Sequence, residues 1–102
     1  MIRIVLAGAT GEVRRMLAAS LAARLGVGGD PRADGFVLAD PPADPVAFDA
    51  ELARRGAELD ALVHLGAAPE ALLDHYRRAL VEVPEADVER VLERLREALV
   101  AG

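Results

Sequence analysis

Apolar positions along this chain alternate between short unbroken runs and longer stretches in which they recur every three or four residues. Ile2 to Ala7 is a short run, interrupted only by Arg3 and closed by Gly8, and it reads as a buried strand. Val13 to Leu25 has the helical period, with Val13, Met16, Leu17, Leu21 and Leu25 on one face and alanines between them. Gly26, Gly28, Gly29 and Pro31 mark a loop. Phe36 to Ala39 is a second apolar run, bounded by Gly35 and by Asp40-Pro41-Pro42. Asp44 followed by Pro45 is a helix start, an N-cap carboxylate and a proline in the first turn. That helix turns Phe48, Leu52 and Ala53 inward and ends near Gly56. Ala61 to Leu65 predicts a third strand, Pro69 to about Arg78 a third helix, and Leu80 to Val83 a fourth strand. The last helix, from about Glu85, carries Val88, Val91, Leu92, Leu95 and Leu99 on one stripe. Its other face is arginine and glutamate, with Glu93 three residues from Arg90 and from Arg96.

Strands alternating with helices predict an α/β fold, a three-layer sandwich with a parallel sheet of about four strands and helices on both faces. The 102 residues predict a single domain, residues 1–102. Ligands of such sheets sit beyond the carboxyl ends of the strands, which directs attention to the first loop.

Composition narrows the chemistry. Hydrophobic residues make up 53% of the chain but aromatics only 3%, so the core is one of Leu, Val and Ala. A net charge of −5 argues against a nucleic-acid partner. No apolar run reaches membrane-spanning length, and the N-terminus opens directly in a strand pattern, so neither a membrane span nor a secretory leader is expected and the cytoplasm is the default location. Without cysteine there is no disulfide, thiol nucleophile or thiolate metal site. Every basic residue is arginine, Thr10 and Ser20 are the only aliphatic hydroxyls, and Tyr76 is the only phenol. Ser20 has no base beside it, and the two histidines, His64 and His75, are too far apart in sequence to suggest a metal site. His64 lies in a strand run and reads as a packed histidine rather than a base. Asp40 reads as a turn cap, with a hydrated cation as the alternative.

The segment IRIVLAGATGEVRR is a strand, a tight turn and a helix start, a combination whose backbone N–H groups suit an anion. Gly8, Ala9, Thr10, Gly11, Glu12, Val13, Arg14 and Arg15 are therefore the candidate nucleotide- or phosphate-binding residues; no catalytic or metal-ligating residue is assigned. Arg14 and Arg15 read either as a solvated first helical turn or as a phosphate clamp.

Two families resemble this loop. Gly8-Ala9-Thr10-Gly11 is similar to the GATGxxGR turn of atypical short-chain dehydrogenase-like, NAD(P)-binding Rossmann proteins, with Arg14 in place of the third glycine. Gly8, Ala9 and Gly11 also match the adenylate kinase loop G-x-P-G-x-G-K-G-T. Beyond the loop, GFVLADPPAD (35–44) resembles that family's G-F-I-L-D-G-F-P-R-T. LDALVHLGAAPEALLDHYRR (59–78) is similar to its L-D-A-V-I-E-L-D-V-P-D-E segment, and residues 79–99 to its closing strand and helix. These matches follow the family's order, and the second run of a Rossmann fold, expected to end in a ribose-binding acid, is not supplied by the glycine-rich Val27 to Asp30. The resemblance favours a P-loop nucleoside-kinase-like core.

The same resemblance implies lost chemistry. The family's lysine is Arg14 here, its threonine is Met16, a glycine is Val13, and its strand-end aspartate is Ala39 with Asp40 one place on. Val13 is β-branched where φ > 0 would be needed. Residues 26–34 leave no room for a monophosphate-binding region, nor residues 77–80 for a lid. The expectation is a truncated, degenerate adenylate kinase-like protein with weak binding of nucleotide or phosphate, ATP with magnesium included, and no transfer reaction. The alternatives are a minimal active nucleoside monophosphate kinase and an NAD(P)-binding module. The missing part of the family's core also predicts an exposed sheet edge where the family's second strand should be, at which a homodimer could form.

Overall fold

The computed structural model describes residues 2–101 and contains β1 (Arg3–Gly8), α1 (Gly11–Leu25), β2 (Phe36–Leu38), α2 (Pro45–Arg54), β3 (Ala61–Leu65), α3 (Glu70–His75), β4 (Leu80–Val83) and α4 (Val88–Ala101). The strands form one parallel sheet in the order β2-β1-β3-β4. β1 is central and begins beside a fixed corner: the Arg3 N–H donates to Asp60 Oδ2 at 2.7 Å, and the Asp60 N–H to the Arg3 carbonyl at 2.9 Å. No helix among the described residues is long and apolar enough to cross a membrane.

The strand period of two divides the core. Ile4 and Leu6 pack with Leu17 and Leu21 of α1 and Val91 and Leu95 of α4 on one face. Val5 and Ala7 turn to the other, against Leu52 of α2 and Tyr76 at the end of α3. Both faces are thus covered, as the alternating pattern predicts. The two phenylalanines, Phe36 and Phe48, meet edge to face with centroids 6.2 Å apart.

Local signals hold where they rest on capping chemistry. Asp44 accepts the Ala47 N–H at 3.1 Å and Pro45 is the first residue of α2. Gly26 closes α1 in the left-handed conformation. Ala53 of α2 and Leu99 of α4, expected on the inward faces, are exposed, since each lies at the rim of its helix's buried side. Three further expectations need correction. Met16 is 68% exposed and not part of the core; α1 presents only the Leu17–Ala18–Leu21 side to the sheet, and Met16 lies in the open gap between α1 and the start of α4. α3 stops at His75, because Tyr76 leaves the helical conformation and the Ala79 and Leu80 N–H groups turn back to its carbonyl on the way into β4. The edge of β2 is not fully open: Val37 donates to the Gly28 carbonyl at 2.9 Å, and Gly28 bridges Phe36 in parallel. The glycine-rich loop folds back as the stub of a further strand.

Candidate functional site

The chain adds β2 on one side of β1 and then crosses to place β3 on the other. Such a reversal opens a crevice outside the carboxyl ends of the flanking strands. The loop from Gly8 to Arg15 lies at that point.

Its turn is made by two successive positive φ angles, +81° at Gly8 and +51° at Ala9. Gly8 is required for a second reason. A Cβ there would lie 2.5 Å from the Leu65 carbonyl oxygen and 2.9 Å from the His64 ring. Ala9 adopts a conformation that disfavours a side chain, so the turn is strained. Thr10 then returns to extended geometry and caps α1, its Oγ1 accepting the Val13 N–H at 3.3 Å. Gly11 and Glu12 follow, their N–H groups beyond the reach of any helical carbonyl. Val13 carries no strain: the positive φ angles fall on Gly8 and Ala9, and Val13 is helical.

The Arg14 side chain is not the solvated group of an open first turn; it folds back onto the strand ends, and its one carboxylate partner is internal. Its Nε donates to the Ala39 carbonyl at 2.9 Å, its Nη1 to the Gly8 carbonyl at 2.8 Å, and its Nη2 to Asp40 Oδ1 at 2.8 Å. The side chain is 18% exposed and that of Asp40 61%. The planar fork of arginine suits this task, since one group reaches four acceptors at two strand ends, the Ala9 carbonyl at 3.4 Å included. It fastens the end of β1 to the end of β2. Asp40 is therefore the outer partner of this clasp rather than a turn cap. Arg15 is exposed, as are Ala9, Thr10 and Glu12.

His64 is 8% exposed and its Nδ1 lies 3.0 Å from the Gly66 carbonyl, the contact of a packed histidine beneath Gly8. Two pairings had no sequence signal. Arg14 and Asp40 are 26 residues apart, as are Asp49 and His75, whose Nε2 and Oδ2 stand 2.7 Å apart between α2 and α3. Only the tertiary fold brings either pair together.

The loop's chemistry is accordingly divided. Its turn and helix start suit a phosphate through backbone N–H groups. Its side chains offer less: the Arg14 guanidinium is bonded inward to Gly8 and to Asp40, and the exposed Met16 two residues on carries no hydroxyl. No protein-family model, curated protein or solved structure matches this chain.

Proposed function

We propose that this chain is an adenylate kinase-like domain that binds phosphate or nucleotide weakly through its Gly8–Arg15 loop and transfers no phosphoryl group. The inward clasp of Arg14 carries this reading. Phosphoryl transfer depends on cations aimed at the moving group, and losing one such stabiliser costs about 10²–10³ in rate. Here the only candidate cation in the first turn besides the exposed Arg15 is held by Gly8, Ala39 and Asp40. Calorimetric titration with ATP, ADP and AMP, with and without magnesium, tests it. Weak, magnesium-independent binding with no ADP formed is the expected result. Saturable ADP formation that Arg14→Ala abolishes would instead establish the minimal kinase.

One observation favours a second reading. The strand beside β1 is Phe36–Leu38, and Asp40 stands two residues beyond it. An acid thus lies where a dinucleotide fold places its ribose partner, so the ground for setting aside the GATG resemblance does not hold. Sheet order supports both readings equally. Tight NADPH binding with no response to ATP would decide for the dinucleotide module.

A further inference from the structure

We propose that the groove between α2 and α3 is a binding site for a small organic acid with an apolar body. The groove has a volume of about 510 Å³ and lies beside the amino ends of β3 and β4, at the opposite end of the sheet from the Gly8 loop. Its apolar part is formed by Leu52, Ala53, Ala57 and Leu59. Its polar part has more donors than the chain satisfies. Tyr76 is 5% exposed and its hydroxyl has no hydrogen-bond partner. A buried group left in that state costs stability, and native folds hold few of them. Burial and the nearby Asp49 charge push the phenol up to about 12, so it stays protonated and acts as a donor. Arg77 and Arg78 also line the groove, and neither forms an ion pair or side-chain hydrogen bond among the described residues.

One internal carboxylate already occupies the position this chemistry suits. Asp49 Oδ2 lies 2.7 Å from His75 Nε2, and the His75 ring stands edge-on to Tyr76 with centroids 4.5 Å apart. Both side chains of this pair are partly exposed, at 41% for Asp49 and 31% for His75. An entering carboxylate takes the place of Asp49 on His75 and faces the two arginines; the phenol hydroxyl is closed to solvent, and the ligand oxygen reaches it only as Asp49 turns away. The displaced Asp49 turns to solvent, and the apolar body of the ligand rests on the leucines and alanines. Glu58, the other carboxylate of the lining, opposes a second negative charge and so limits the ligand to a monoacid.

Benzoate is the probe, with benzamide as its uncharged counterpart, and amide chemical shifts of the whole chain are the readout. Benzoate is expected to shift the amides of Asp49, Ala57 and Tyr76 saturably, with a dissociation constant on the order of 1 mM. Tyr76→Phe and the double change Arg77→Ala, Arg78→Ala each weaken it by about fivefold or more, and benzamide gives no saturation. Asp49→Ala strengthens it several-fold, because the competing carboxylate is gone. Tyr76→Phe leaves the thermal stability of the unliganded chain unchanged or raised, since the hydroxyl has no internal partner. The proposal is overturned if benzoate shifts nothing in the groove, if its shifts fall only on Gly8–Arg15, or if benzamide binds as well. It is equally overturned if the Tyr76 or arginine variants bind benzoate unchanged, if Asp49→Ala weakens binding, or if Tyr76→Phe destabilises the free chain.

Discussion

Arg14 shows how one side chain decides what a loop can do. Its four hydrogen bonds hold the ends of β1 and β2 together, so its removal acts on stability before it acts on any ligand. Arg14→Ala is expected to cost about 2–3 kcal/mol, measured by urea unfolding, because charge-assisted bonds to partly buried carbonyls are lost. Arg14→Lys recovers only part of this, since an ammonium cannot reach Ala39, Gly8 and Asp40 in one plane. Asp40→Asn costs less than Arg14→Ala, its side chain being 61% exposed. Gly8→Ala meets both a φ of +81° and the Leu65 carbonyl, and a loss of about 2–4 kcal/mol is expected from the same measurement. Tyr76 gives a direct optical test. It is the only tyrosine and the chain has no lysine, so phenolate absorbance reads one group. Ionisation near pH 12 rather than 10 is expected. The native state then holds this proton at a pH where the unfolded state has lost it. Stability is full below about pH 10 and falls by on the order of 2 kcal/mol as the pH rises to about 12. Tyr76→Phe flattens that slope.

Among the elements, those with a local cause were legible in the sequence. β1 is an apolar run that ends at a glycine, and α2 begins with an aspartate cap followed by proline, so both are specified by adjacent residues. Asp44→Ala should lower stability by about 1 kcal/mol in thermal unfolding, the usual worth of such a cap. α1 was legible as a helix but not in its orientation. Alanine is spread around its circumference, which leaves the buried side to be chosen by the sheet, and the sheet takes Leu17, Ala18 and Leu21 while Met16 stays outside. α4 is the contrary case. Val91 and Leu95 are buried between charged neighbours, and the ion pairs Arg90–Glu93 and Arg94–Glu97 lie along its outer side. Leu21→Ala and Leu95→Ala should each cost about 2–5 kcal/mol, whereas Met16→Ala costs little. The candidate loop was legible as a turn, because Gly8 and Gly11 permit sharp paths that other residues resist. Its clasp was not, because the partner aspartate is 26 residues away.

At the scale of the whole molecule, the order β2-β1-β3-β4 explains why sequence and topology together leave two readings. A kinase core that has lost one strand and the inner half of a dinucleotide fold give the same four-stranded order, so the choice falls to ligand binding. The two borders of this sheet are unequal. On one, the Gly28 stub bonds to Val37; on the other, no strand among the described residues lies beside β4, and Arg94 donates across it to the Glu82 carbonyl at 3.3 Å. A sheet with two bare borders can add copies at both ends and lengthen into a fibre, whereas one with a single bare border closes after the second copy. The short turn of backbone at Gly28 is thereby expected to stop any self-assembly at that border. Concentrated protein should sediment as monomer and dimer with nothing longer, and Arg94→Ala should raise the dimer fraction. Gly28→Pro, which leaves the Gly28 carbonyl in place but restricts its backbone, is the variant in which longer assemblies should first be seen.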